Sequence, residues 1–112
     1  MLLWVDDIRK PRNFIDYVGR IKWAENFEEA VGFLHAYKPL ITEISLDNDL
    51  GEDKQGKDVL LVIEEMVFQG DLPALKTIYI HSHNPAAVRS MQSAAESRVF
   101  VASGIKFITR RA

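Results

Sequence analysis

The apolar residues of this chain come in short runs, and most of these runs stop at a group of acids or imidazoles. Leu2 to Val5 is followed by Asp6-Asp7, Ile41 to Leu46 by Asp47-Asn48-Asp49-Leu50-Gly51, and Thr77 to Ile80 by His81-Ser82-His83-Asn84-Pro85. A short continuous apolar run bounded by turn formers reads as a strand covered on both faces, which is the habit of parallel sheets. Arg20 to Ala24 alternates polar and apolar residues and reads as a further strand.

Helical patterns fill the intervals. Asn26 is placed as an N-cap with Glu28 and Glu29 in the first turn, and Phe27, Ala30, Val31, Leu34 and Tyr37 form one stripe that ends at Pro39. Lys57 to Phe68 carries Val59, Leu60, Ile63, Met66 and Val67 at helical period, with Gly70 as its stop. Ala86 to Ser97 reads as a helix with Val88, Met91 and Ala95 inward, and Val99 to Val101 as the last strand, continuing past Gly104 through Ile105 to Ile108. Asp6 to Arg20 contains Pro11 and too little apolar surface for more than a turn or two of helix. Strands alternating with helices at this spacing predict an α/β domain with a parallel sheet and helices on both faces.

The length of 112 residues fits one domain spanning residues 1–112, and 47% hydrophobic residues can furnish its core. A formal charge of -2 gives no general basic field for holding nucleic acid. The absence of cysteine excludes disulfides, thiolate metal sites and a cysteine nucleophile, and points to a reducing compartment. No apolar run approaches the ~18–20 residues of a membrane span, and Asp6-Asp7 interrupts the place where a signal peptide needs its apolar core. The expectation is a cytoplasmic protein without a membrane partner.

In an open parallel sheet, ligands bind beyond the carboxyl ends of the strands. That edge is predicted to collect Asp6, Asp7 and Arg9 from the first strand, Asp47 and Asp49 from the third, and His81, Ser82, His83 and Asn84 from the fourth. Each has a plainer reading. The acids suit turns and caps, a histidine on a strand suits packing, and Arg9 suits a solvated surface. Their collection on one edge favours a site. Crowded carboxylates that stay ionised call for a cation, and hard oxygen donors suit Mg²⁺, Mn²⁺ or Ca²⁺. A Zn²⁺ site built from His81, His83 and one aspartate is the rival. Mg²⁺ held by carboxylates ordinarily serves phosphate chemistry.

The motifs LWVDDIRKP, SLDNDLG and IHSHNP resemble those of the cyclic-phosphate processing receiver-like domains, a divergent branch of the response-regulator receiver superfamily. The resemblance implies a receiver-like (flavodoxin-like) three-layer sandwich with a mainly parallel five-stranded sheet. In ordinary receivers an acidic pair follows strand one, a phospho-accepting Asp ends strand three and a Ser or Thr ends strand four; Asp6-Asp7, Asp47 and Ser82 match in order. The chain departs from that pattern in its short segment between strands one and two. Lys106 has no clear match to the receiver lysine at the end of strand five, and Arg9, Asp49, His81, His83 and Asn84 have no place in a phosphorelay.

The resemblance therefore implies a metal-dependent phosphoesterase acting on a cyclic nucleotide or a 2′,3′-cyclic phosphate RNA end. In this reading Asp6, Asp7, Asp47 and Asp49 hold Mg²⁺ or Mn²⁺. Asp47, His81 and His83 are catalytic, with one histidine as acid or base. Arg9, Ser82 and Asn84 bind the substrate. The alternatives are a phospho-accepting signalling module and a non-catalytic domain that binds a nucleotide or a protein. The sequence leaves oligomeric state open.

Overall fold

The computed structural model describes residues 1–13, 17–81 and 84–110. Five strands, β1 (Leu2–Val5), β2 (Ile21–Ala24), β3 (Glu43–Leu46), β4 (Thr77–His81) and β5 (Lys106–Arg110), form one sheet in the order β2-β1-β3-β4-β5. Every neighbouring pair is parallel. The order is the flavodoxin-like one that the resemblance implied, and the direction in which successive strands are added reverses between β1 and β3. That seam is where such a sheet opens a crevice.

Among the described residues the α-helices are α1 (Phe27–Ala36), α2 (Gly56–Phe68), α3 (Pro85–Ala94) and α4 (Arg98–Ser103). Side chains alternate across a strand. Leu3, Val5, Ile44, Leu46, Ile78 and Ile80 point to one face and share a core with Ala30 and Leu34 of α1, Val59, Leu60 and Ile63 of α2, Met91 of α3 and Phe100 of α4. Trp4, Ser45, Tyr79 and His81 belong to the opposite face by register. Among the described residues, the only helical turn between β1 and β2 is the 3-10 turn Pro11–Asn13. Pro11 opens that turn, a position where its missing N–H costs no hydrogen bond.

Capping fixes the helix starts. The Asn26 side chain accepts from the Glu29 amide, as the sequence predicts, and at the start of α2 the Asp58 carboxylate accepts from the Gln55 amide at 2.8 Å. Gly56 opens α2 against the end of β3, where a Cβ would stand 2.2 Å from the Asp47 carbonyl oxygen. Its amide donates to Asn48 O at 2.8 Å, so helix and loop meet at backbone contact.

The segment Val99–Val101, expected as a strand, is helical. Ser97 caps α4 by accepting from the Phe100 amide, Phe100 turns into the core, and Gly104 ends the helix at φ 74. Three apolar residues in succession carry no periodicity, so local capping and the burial of Phe100 decide the conformation. β5 consequently lies later in the chain and runs two residues beyond Ile108.

Candidate active site at the β1–β3 seam

Asp6 follows β1 and Asp47 follows β3, so the parallel register brings them side by side. The Asp6 amide donates to Ala24 O at 3.1 Å and the Asp47 amide to Val5 O at 2.9 Å, extending the sheet to the carboxylates themselves. One oxygen from each of Asp6, Asp7 and Asp47 lies within 4.8 Å of the others. They line a cleft of about 450 Å³ together with Ile8, Arg9, Asp49 and Gly51. Gly51 adopts φ +69, and a Cβ there would come within 3.0 Å of Asp7 Oδ2. The glycine thus lets the loop after β3 close over the acidic pair.

Asp6 is fully buried. Its Oδ1 accepts from the Ile8 amide at 2.9 Å and the Arg9 amide at 2.8 Å, while Oδ2 faces His81 Nε2 at 3.0 Å and Arg9 Nη1 at 3.7 Å. Burial opposes ionisation of Asp6, but the His81 and backbone hydrogen bonds prevail and hold its carboxyl below the usual range. Asp47 is 6% exposed, with one amide partner, Asp49 N at 3.3 Å. Burial, and then repulsion from Asp6, push its carboxyl up to about 7.

His81 is the last residue of β4, 1% exposed, and both ring nitrogens are engaged. Nε2 meets Asp6 and Nδ1 lies 2.7 Å from Ser45 Oγ. The ring stacks on Trp4 with centroids 4.4 Å apart and planes 16° from parallel. Trp4 Nε1 in turn donates to Arg9 O at 2.8 Å. Burial keeps the imidazole below its ordinary pKa despite the Asp6 charge. A neutral ring between these partners leaves no nitrogen for a metal, so His81 does not suit the Zn²⁺ alternative.

Of the remaining candidates, Asp49 is exposed at the cleft, and Arg9 reaches it from beside Asp6. Asn84 is exposed and caps α3, accepting from the Ala87 amide at 3.2 Å. Ser82 and His83 lie outside the described residues. Three participants are missing from the sequence reading. Trp4 and Ser45 lie within the expected strand runs, and Arg110 lies past the expected end of the last strand. Arg110 pairs with His81 in register, and its guanidinium lies 3.6 Å from the centre of the Tyr79 ring.

The donor set fits a hard divalent cation. Three carboxylate oxygens converge, and a cation between them would relieve the repulsion that raises Asp47.

A parallel sheet in this order, with acids converging where β1 and β3 part, defines a receiver-like α/β domain. The family model described as Cyclic-phosphate processing Receiver domain matches residues 1–97, and the chain belongs to that family. The match contains the whole acidic cluster and stops short of α4 and β5. No curated protein and no solved structure matches the chain. Among the described residues, no helix is long and apolar enough to cross a membrane.

Proposed function

We propose that this domain is a metal-dependent phosphoesterase that opens a cyclic phosphate, either in a cyclic nucleotide or at a 2′,3′-cyclic phosphate RNA end. The observation that carries the reading is the convergence of Asp6, Asp7 and Asp47 in a cleft that also presents the Arg9 guanidinium. Acids alone would repel a phosphate; acids that hold a cation beside an arginine can bind one. Asp6, Asp7, Asp47 and Asp49 are the residues assigned to Mg²⁺ or Mn²⁺. The bound cation would neutralise charge on the phosphoryl oxygens while water adds to phosphorus and a ring P–O bond breaks.

The chain's own residues divide the remaining work. Arg9 is held at its amide by Asp6 Oδ1 and at its carbonyl by Trp4, so the turn that offers its side chain to the cleft is tied at two points, and the guanidinium is assigned to the phosphate. Ser82 and Asn84 are assigned to the substrate. Proton transfer to the departing alkoxide requires a group that titrates near neutrality and faces the substrate. With both nitrogens of His81 engaged inside the protein, this reading gives that transfer to His83.

The test is incubation with a panel of 3′,5′- and 2′,3′-cyclic nucleotides and RNA ending in a 2′,3′-cyclic phosphate, with Mg²⁺, Mn²⁺ or EDTA. Metal-dependent ring opening that is lost in Asp47→Asn supports the reading. A labelled Asp47 after acetyl phosphate treatment, with every cyclic phosphate intact, replaces it with the phospho-accepting module.

A further inference from the structure

β1 and β4 are not neighbours; β3 runs between them, and adjacent strands lie roughly 4.8 Å apart. A side chain on β4 that touches β1 must therefore lie across β3. His81 does so, because residue 45 beneath its path is a serine. The ring spans the sheet face from β4 and reaches both Trp4 and Asp6 on the β1 side. A branched side chain at residue 45 would occupy the volume the imidazole crosses, and alanine would leave Nδ1 without its partner.

The hydrogen bonds define one arrangement of protons. Ionised Asp6 is an acceptor only, so His81 Nε2 carries the proton and donates to Oδ2. On the other side of the ring, Nδ1 lies against the Ser45 hydroxyl at 2.7 Å. The other Asp6 oxygen is filled by the Ile8 and Arg9 amides, two donors for its two in-plane lone pairs. What remains open to a ligand in the cleft is the side of Oδ2 away from His81, which it would share with the Arg9 guanidinium 3.7 Å away, and its direction depends on where His81 holds the carboxylate.

We propose that His81, set by Ser45 and backed by Trp4, is a positioning residue that turns Asp6 so that one Oδ2 lone pair faces the cation site. This rests on the metal-binding part of the proposed function and goes beyond it by assigning Ser45 and Trp4 a part. Hydrogen-bond partners of metal-binding carboxylates typically contribute 10–100-fold to metal affinity.

Two amide substitutions separate positioning from simple packing. Glutamine can place an N–H near the position of Nε2, whereas asparagine reaches only the position of Nδ1. Both lose the stack on Trp4. The measurements are Mn²⁺ affinity and a melt in EDTA for wild type, His81→Gln, His81→Asn and Ser45→Ala, with the ¹⁵N imidazole spectrum of the wild type. Expected are a Mn²⁺ affinity at least ~10-fold weaker in His81→Asn and near wild type in His81→Gln, at similar apo melting temperatures.

The wild-type spectrum should show a proton on Nε2, and Ser45→Ala should weaken Mn²⁺ binding while remaining folded. Equal Mn²⁺ affinities in folded His81→Gln and His81→Asn overturn the proposal, as does a wild-type ring protonated at Nδ1 alone. If both histidine variants fail to fold, Ser45→Ala and the wild-type spectrum decide. Wild type that binds Mn²⁺ in this pattern yet opens no cyclic phosphate retains the positioning role and sinks the esterase; wild type that binds no Mn²⁺ sinks both.

Discussion

Asp47 and Asp6 stand side by side at the ends of adjacent parallel strands, and their environments drive them apart: Asp6 is held below its usual pKa, while Asp47 is raised to about 7. Asp6 has two backbone amides and an imidazole directed at it. Asp47 has one long amide contact and a negative neighbour. One carboxylate is thus fixed as an anion, and the other takes up its charge at a cost.

That cost gives a pH dependence. Native Asp47 keeps a proton that the unfolded chain, with an ordinary value of 3.8, has already released. Its contribution to stability is therefore present at low pH and lost as pH rises from about 4 to about 7. His81 works in the opposite sense, because the unfolded imidazole takes up a proton below 6.5 that the buried ring resists. Asp6, also held low, adds stability that disappears in stronger acid. The difference between Asp47→Asn and wild type reports Asp47 together with its coupling to Asp6. In EDTA the asparagine variant should gain stability relative to wild type between pH 4 and 7, then plateau at an advantage on the order of 1–3 kcal/mol. Urea titrations across this range measure it, and a pH-independent difference would contradict the assignment.

Added cation should reverse the ranking. A divalent ion at about 100 times its dissociation constant stabilises a folded protein that alone binds it by roughly 2.7 kcal/mol. Melts of wild type in Mg²⁺ or Mn²⁺ should exceed those in EDTA, and Asp47→Asn should lose most of that gain. Midpoints that stay at their EDTA values in every ion, for wild type and Asp47→Asn alike, would remove the cation from the site.

Gly56→Ala probes the contact between α2 and the loop after β3. The new methyl would begin 2.2 Å from the Asp47 carbonyl oxygen and 2.7 Å from the Asn48 Cα, both backbone atoms. Overpacking of this kind typically costs about 1–3 kcal/mol. For a chain of this size that corresponds to a drop in melting temperature of roughly 4–8 °C per kcal/mol. Because the strain falls on the segment carrying Asp47, divalent-cation affinity should fall as well. A wild-type melt would show that the helix can withdraw freely.

The proposed acid–base group is open to a kinetic test. General acid–base catalysis contributes typically 10²–10⁴-fold. Replacing His83 by Asn should cost turnover on that scale with Mn²⁺ binding retained, whereas His81→Asn should act chiefly through weaker cation binding. Full turnover in His83→Asn would exclude it as the proton donor.

Strand ends were legible because a buried strand must leave its apolar run before polar residues can follow. Leu2–Val5 ahead of Asp6 and Glu43–Leu46 ahead of Asp47 announced both the sheet and its acidic edge. Val99–Val101 was misread because a run of this length lacks a period, and the deciding interactions, the Ser97 cap and the burial of Phe100, are respectively local and tertiary. Displacing that strand also hid Arg110. The surroundings of His81 were illegible for another reason. Alternation along β4 places it on a face with Thr77 and Tyr79, but its contact with Trp4 depends on which strand stands two places away. Asn84 followed the common behaviour of asparagine before a helical proline, as a cap.

The two carboxylates are mounted on different parts of the protein. Asp6 is braced from the sheet face of Trp4, Ser45 and His81, while the backbone of Asp47 meets α2 on the helix side through Gly56. Without a cation the two supports share little beyond the repulsion between the acids, so His81→Gln and Gly56→Ala should change apo stability nearly additively. A cation gripped from both sides would couple them. A disturbance on the helix side therefore reaches Asp47 first and leaves the sheet-side brace of Asp6 in place.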